Sequence, residues 1–205
     1  MAELRIPLRL CGVALVAMGL WFAVLVPLHP NILNGELADA VRTSGTWRLT
    51  HAAMFVVGIA SVLAAAGMVA LHEPRFGRLG SVVLAVTVVS AFATAATGAL
   101  EATVFPLLAR TSPDTIAFDG PLLTSPLFRS LSGPWLLLPL DFAFLGWLAR
   151  RAGEFAGPGT ALAISGVAFL AFGMWFVPVL GPISCFAFGG ALIWWGGLLW
   201  RAQPR

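Results

Sequence analysis

The sequence predicts an all-α membrane protein, a bundle of six transmembrane helices with both termini in the cytoplasm. Of its 205 residues, 59% are hydrophobic and 10% are charged. A soluble surface typically carries about 25–35% charged residues, so this chain must use lipid as its solvent. The apolar residues also form six runs, each close to the ~20 residues that a helix needs to cross ~30 Å of hydrocarbon.

Prolines separate these apolar runs, because proline cannot continue a helix interior. Pro30 follows the first run, Pro74 separates the second from the third, and Pro106 ends the third. Pro134 begins the fourth run, and Pro182 divides the fifth from the sixth. No linker divides the chain, so we expect one domain over residues 1–205. The predicted spans 1 to 6 are 11–28, 49–71, 79–104, 133–149, 159–179 and 183–200.

Arginine placement predicts the orientation of the bundle. Cytoplasmic loops carry an excess of positive residues, and a cytoplasmic N-terminus puts eight of the twelve arginines inside. The inner eight are Arg5, Arg9, Arg75, Arg78, Arg150, Arg151, Arg201 and Arg205, and the outer four are Arg42, Arg48, Arg110 and Arg129. The scattered arginines form no basic stripe, which excludes a nucleic-acid partner. The expected partner is therefore the lipid bilayer. Arginine without lysine is typical of a high-GC bacterial genome, so we expect the bacterial inner membrane.

Span 3 carries a polar stripe. Thr87, Ser90, Thr94, Thr97 and Glu101 recur at spacings of 3, 4, 3 and 4, which places all five on one helix face. Such a face does not pack favourably against lipid tails. Two interpretations remain open. The hydroxyls pack and hydrogen-bond between helices, each worth about 0.6 kcal/mol, or they form a polar track that ends in an acid.

Span 2 carries a matching stripe of histidine and small residues, and it must lie antiparallel to span 3 because only residues 72–78 join the two. Counted from Phe76, His51 is 25 residues back and Glu101 is 25 residues forward. At about 1.5 Å per residue the two lie at the same height near the outer surface. We therefore expect His51 to reach Glu101 if the stripes face each other.

A His51–Glu101 pair allows three interpretations. It can be a structural salt bridge or hydrogen bond, with Arg48 nearby, or it can bind a proton or cation. With His29 at a similar height, two histidines and an acid also suit a transition metal, and a histidine at a helix end can ligate haem iron. Against haem, no second histidine stands on another predicted span at matched depth within the membrane.

Asp141 lies eight residues from each end of span 4, roughly 12 Å from either surface. An aspartate there costs about 2.5–3.5 kcal/mol on insertion scales, and no predicted cation lies at its level. Pro139 frees the carbonyl of Trp135 and loosens the helix. We expect Asp141 to be protonated, hydrated or ligand-bound, with Ser90 or Thr94 as its hydrogen-bond partner.

Glycines and tryptophans predict packing surfaces and interfaces. Glycines repeat at seven-residue spacing in spans 5 and 6, which favours close packing within the fold or against a partner subunit. These are Gly166 and Gly173, Gly189 and Gly196, and Gly190 and Gly197. Belt residues expected at the membrane interfaces are Trp47, Trp135, Trp147, Trp195 and Trp200. Outer segment 31–44 is expected to hold a short interfacial helix, and 111–130 to cap spans 2 and 3.

Cys11 and Cys185 fall at opposite ends of the bundle, so a disulfide between them is not expected. The sequence shows no recognisable catalytic constellation, which favours a non-enzymatic protein. The leading hypothesis is a polar site among spans 2, 3 and 4 that binds or passes a proton, cation or small ligand. Its candidate residues are Glu101, Asp141, His51, Thr94, Thr97 and Ser90. The alternatives are an accessory subunit of a respiratory or transport complex, and a redox subunit with haem or metal.

Overall fold

The computed structural model describes residues 7–32, 36–153 and 155–202. Within these ranges the protein is helical and has no strand. Five helical segments are long and apolar enough to cross a membrane. They are Leu8–Leu25, Trp47–Thr111, Pro126–Ala152, Ala156–Gly173 and Leu180–Arg201. The all-α class and the membrane-compatible character predicted from the sequence are therefore confirmed.

The described residues form eight α-helices. Helix α1 (Leu8–Leu20) continues as a π-helical turn, Trp21–Leu25. The short helix α2 (Leu37–Thr43) precedes the long helix α3 (Trp47–Thr111). After a 3-10 turn, Pro113–Ile116, come α4 (Pro121–Thr124) and α5 (Pro126–Ser132). A second 3-10 turn, Gly133–Leu137, leads into α6 (Leu138–Ala152). Helix α7 (Ala156–Ala168) ends in a second π-helical turn, Phe169–Gly173, and α8 (Leu180–Arg201) follows.

The 65 residues of α3 form two antiparallel arms, 47–76 and 78–111, because Gly77 interrupts the helix. Gly77 has φ +51° and ψ −141°, a conformation that glycine adopts without a Cβ clash. The arms lie against each other at Gly58, where an added Cβ would lie 2.6 Å from the Ala95 nitrogen. Gly98 faces the other arm in the same way, because a Cβ added there would lie 2.7 Å from the His51 carbonyl oxygen. The arms correspond to predicted spans 2 and 3.

Three of the predicted helix boundaries are wrong. The chain reverses at Gly77 and not at Pro74, which remains helical, because a positive φ turns the chain more sharply than a proline does. Pro106 was expected to end span 3, but α3 continues to Thr111. Proline lacks one backbone donor, and a helix in a membrane protein tolerates that loss when neighbouring groups satisfy the freed carbonyl. Span 4 also starts earlier than predicted, at Pro126.

Small residues bring the long helices together. Helix α1 packs along α8, where a Cβ added to Gly196 would lie 2.7 Å from the Gly12 carbonyl oxygen. One added to Gly189 would lie 2.5 Å from the Gly19 carbonyl oxygen. Helix α6 packs on α7 in the same way. Glycine permits such backbone approach, which increases van der Waals contact between helices in lipid.

The segments before and after α3 cover one end of the bundle, as the sequence predicts. Leu37 and Val41 of α2, and Ile116 after α3, are buried in a small apolar cluster with Trp47 and Phe105. Leu33, which was expected on the same interfacial helix, lies outside the described residues. The surface around the bundle is apolar, as in the 67% exposed Phe92, and this is the surface expected of lipid-facing helices. Both cysteines are buried and free, as predicted.

Candidate functional site

A cavity of about 210 Å³ lies beneath the covered end of the bundle. We call it the capped cavity. It lies between α1, both arms of α3 and the end of α7, with α2 and the segment around α4 over it. The residues that line it are Trp21, Val26, His29, Ile32, Leu37, Trp47, Thr50, His51, Met54, Glu101, Phe105, Phe118, Leu123, Trp135, Phe169, Gly173, Met174 and Phe176.

His51 and Glu101 meet in this cavity, as their matched heights predict. The Nε2 atom of His51 lies 2.6 Å from Oε2 of Glu101. The two side chains come from different arms of α3, and the reversal at Gly77 places them at the same level. His51 is buried, and Arg48, which was considered as a further partner, is exposed and does not line the cavity.

The hydrogen bonds of His51 determine where its protons are. Its Nδ1 lies 2.8 Å from the carbonyl oxygen of Trp47. A carbonyl oxygen only accepts, so Nδ1 carries a hydrogen and donates it. A 2.6 Å contact between Nε2 and a carboxylate oxygen needs a second proton, held by the imidazole or by the acid. The pair therefore shares one proton, and its net charge is zero whichever group holds it.

His29, which the sequence places in the loop after α1, is part of the wall of the cavity. Its ring lies 5.0 Å from the His51 ring and 5.0 Å from the Trp47 ring, and stacks 5.3 Å from Phe176. Its Nδ1 donates to the Pro30 carbonyl oxygen at 2.7 Å. Burial, together with the positive form of nearby His51, lowers the pKa of His29 from 6.5 to about 4. At neutral pH its Nε2 is therefore a free acceptor.

Trp47 is a cavity residue and not an interfacial belt residue, so that prediction is wrong. Its side chain is 1% exposed, because α2 and the segment after α3 cover it. Its Nε1 donates to the Glu101 carbonyl oxygen at 2.7 Å, and its ring stacks on Phe105. The spacing of four residues to His51 places Trp47 on the same helix face, which is a signal that sequence reasoning could have used.

Three backbone irregularities border the capped cavity, and none of them has a sequence signal. The π-helical turn at the end of α1 contributes Trp21, and the one at the end of α7 contributes Phe169 and Gly173. Single π-helical turns occur frequently at functional sites. Phe176, which stacks on His29, has φ +50°, a strained conformation for a residue with a Cβ. Such strain persists where surrounding structure imposes it, often at binding sites.

Asp141 lies outside the capped cavity, so the predicted polar site divides into two places. The Ser90 hydroxyl donates a hydrogen bond to Oδ2 of Asp141, the partnership expected from their depths. Asp141 is 7% exposed and stands in the first turn of α6, where the helix dipole favours an acid. The hydroxyl of Thr94 donates to the carbonyl of Ser90 in its own helix, and that of Thr97 has no partner within the described chain.

No known protein family, characterised protein or solved structure matches this chain. What the capped cavity can hold therefore follows from its own residues. Aromatic and aliphatic side chains form most of its wall, and neither lysine nor arginine is among the described residues that line it. Thr50, which lines it, is 2% exposed and its hydroxyl has no hydrogen-bond partner in the described chain. An unpaired buried hydroxyl costs about 1–3 kcal/mol, which a bound ligand would recover.

The weak metal candidates are His29, His51 and Glu101, and they do meet at this cavity. However, the described residues contain no group of three or more His, Cys, Asp or Glu arranged to hold a metal ion. Both ring nitrogens of His51 are already in hydrogen bonds. The arrangement is that of a buried imidazole paired with a partly buried carboxylate beside an aromatic cavity.

Proposed function

We propose that this protein is a small-ligand-binding protein of the bacterial inner membrane, and that the capped cavity is its binding site. The observation that carries the proposal is a largely aromatic cavity with the His51–Glu101 pair in its wall. Small-molecule sites are typically concave, mostly apolar and equipped with a few polar groups. The capped cavity has this composition, with His29, Thr50, His51 and Glu101 as its polar side chains.

In this proposal the chain crosses the membrane six times, with both termini in the cytoplasm. A single α3 of 65 residues would be about 98 Å long, three times the thickness of the hydrocarbon core. The reversal at Gly77 supports two crossings in place of one. The arginine distribution supports the orientation, which places the capped cavity near the outer surface.

Binding is favoured over the passage of protons or cations along the polar stripe of α3. The hydroxyls of Thr87 and Thr94 donate to carbonyls of their own helix, an arrangement typical of packed membrane helices. Ser90 is engaged with Asp141, which does not line the capped cavity. These contacts support a satisfied interface between α3 and α6 more than a hydrated path.

The accessory-subunit alternative was based on the glycine faces of α7 and α8, and most of these glycines pack within this chain. Gly189 and Gly196 of α8 pack against α1, and Gly166 of α7 packs against the Pro139 carbonyl of α6. These glycines serve the fold of this chain. Gly190 and Gly197 have nothing within 4 Å of an added Cβ, and they are what remains for a partner.

A panel of small aromatic alcohols, amines and carboxylic acids tests the proposal, with thermal unfolding of the detergent-purified protein as the readout. At least one compound should raise the melting temperature of the wild type. Ile32→Trp, which fills the cavity, should abolish that shift. Leu127→Trp, at a 70% exposed position outside the cavity, is the matched control and should retain it. A shift that survives Ile32→Trp, or no shift with any compound, contradicts the proposal.

A further inference from the structure

We infer that the capped cavity takes a small protonated organic amine, and that binding of the amine releases the proton that His51 and Glu101 share. This inference rests on the proposed function, because it names the ligand class of the same site. The site would then exchange one cation for another, a proton for an ammonium ion.

The walls of the cavity suit an organic cation. Seven tryptophan and phenylalanine rings line the cavity, and the face of each can attract a cation. They belong to Trp21, Trp47, Phe105, Phe118, Trp135, Phe169 and Phe176. A cation over such a ring face gains about 0.5–2 kcal/mol, most when it is desolvated. Aromatic cages of this kind recognise ammonium groups, and their apolar walls also accept the hydrocarbon part of the ligand.

The polar groups of the cavity are acceptors, which matches the donors of an ammonium group. His29 offers Nε2 because its Nδ1 already donates to Pro30. Glu101 offers its carboxylate, of which Oε2 is engaged by His51. The Thr50 hydroxyl, which has no partner in the described chain, can also accept. An anionic ligand would face the Glu101 carboxylate with no lysine or arginine in the described lining to balance it.

Charge balance makes the exchange of cations the expected step. Before binding, the proton shared by His51 and Glu101 keeps the pair neutral. When R–NH₃⁺ enters, that proton leaves to solvent, His51 stays neutral through its Nδ1–H bond to Trp47, and the Glu101 carboxylate faces the ammonium. The cavity is electrically neutral in both states. Retaining the proton would leave an uncompensated positive charge in an apolar site, which is strongly unfavourable.

The titratable side chains among the described residues lining the cavity are His29, His51 and Glu101. His29 is neutral near pH 7 because burial lowers its pKa to about 4. Because His29 is already neutral, the proton that binding releases is the one that His51 and Glu101 share. The volume of about 210 Å³ corresponds to roughly seven water molecules, which suits an amine the size of benzylamine.

The test compares benzylamine with benzyl alcohol, its uncharged counterpart of the same size, on the full-length protein in detergent. Calorimetry in two buffers of different ionisation enthalpy counts the protons released. We expect about one proton per benzylamine bound, and none with benzyl alcohol. The benzylamine affinity should rise with pH, by at most about tenfold per pH unit, which is the limit for one released proton. Benzylamine binding without proton release overturns the inference.

A variant that lacks the Glu101 carboxylate provides a second, independent test. Glu101→Gln should lower benzylamine affinity at least tenfold and abolish proton release, while binding of benzyl alcohol is retained. Asp119→Asn removes an exposed carboxylate on the same side of the bundle and should change neither ligand. Unchanged amine affinity in Glu101→Gln also overturns the inference. If that variant does not fold, the proton count on the wild type still decides.

The two proposals fail in different ways. If benzyl alcohol binds as tightly as benzylamine and no proton is released, the cavity is a ligand site but not an amine site, and the inference alone is lost. If neither compound binds and the wider panel also gives no shift, the proposed function itself is lost.

Discussion

Trp47 joins the two arms of α3 at the level of the His51–Glu101 pair. Its indole Nε1 donates to the carbonyl oxygen of Glu101, and its own carbonyl accepts from Nδ1 of His51. One residue thus holds the backbone that carries the acid and sets the tautomer of the imidazole. The geometry of the pair depends on this residue, which does not itself titrate.

Replacing Trp47 with phenylalanine should therefore loosen the pair. The variant keeps an aromatic ring but loses one hydrogen bond, worth about 1 kcal/mol of unfolding free energy. We expect a lower melting temperature in detergent and weaker ligand binding at the capped cavity. Trp200→Phe, at a 52% exposed position, is the control and should have little effect. Equal effects of the two substitutions would count against the role assigned to Trp47.

The Ser90–Asp141 hydrogen bond should appear as a coupling in a double-mutant cycle. Ser90→Ala and Asp141→Asn, alone and together, should give a coupling energy of about 0.6–1.7 kcal/mol, the range measured for hydrogen bonds between membrane helices. The measurement is unfolding in mixed micelles. Thr103→Ala provides the matched control, because its exposed hydroxyl bonds to its own helix, and it should not couple to Asp141. A cycle that closes without coupling contradicts the contact.

His29 should make stability fall in acid. The pKa of His29 is 6.5 in its ordinary state and about 4 in the folded protein, lowered by burial and by His51, while Glu101 opposes the change. Between these values the unfolded chain binds more protons, so stability is full above about pH 6.5 and declines as the pH falls towards about 4. His29→Gln removes this contribution. The melting temperature of the variant should depend less on pH across that window than that of the wild type; an identical dependence refutes the assignment.

Adjacent glycines of α8 should respond oppositely to alanine. A Cβ at Gly196 meets the Gly12 carbonyl oxygen at 2.7 Å, whereas one at Gly197 meets nothing within 4 Å. Gly196→Ala should separate α1 from α8 and cost about 1–3 kcal/mol. Gly197→Ala should be neutral or stabilising by up to about 1 kcal/mol, because alanine is the better helix former. Thermal unfolding compares them. Loss of a copurifying protein in Gly197→Ala would instead revive the accessory-subunit alternative.

The proposed orientation can be tested by cysteine labelling in intact cells. Gly45 precedes α3 near the capped end, and Arg78 follows the Gly77 reversal at the opposite end; both are exposed. A membrane-impermeant maleimide should label Gly45→Cys in intact cells and Arg78→Cys only after permeabilisation. The wild type, whose two cysteines are buried, gives the background. The reverse pattern would invert the topology.

Much of the candidate site could be predicted from the periodicity of polar residues and from the helical rise per residue. The 3–4 spacing of polar residues in the second arm of α3, together with the short connection to the first arm, was sufficient to bring His51 to Glu101. The same reasoning paired Ser90 with Asp141. Both predictions concern helices joined by a short turn or residues at matched depth, where a rise of about 1.5 Å per residue leaves few alternatives.

The aromatic wall could not be predicted in the same way. Trp21 and Phe169 come from the ends of α1 and α7, which are far apart in the chain and terminate in π-helical turns. Nothing in their apolar sequences distinguishes such a turn from ordinary helix. Phe176, which stacks on His29, lies in the loop after α7 and has a positive φ that its sequence does not indicate.

The sequence by itself determined the membrane-compatible character, the all-helical class and the pairing of the two arms of α3. Composition and periodicity are local properties, and lipid constrains them strongly. Only the tertiary structure decided that His51 and Glu101 face an aromatic cavity, that Asp141 stands apart from them, and that most of the glycine faces serve the fold. Those outcomes depend on which helices pack together, and helix packing in lipid follows shape complementarity between distant segments.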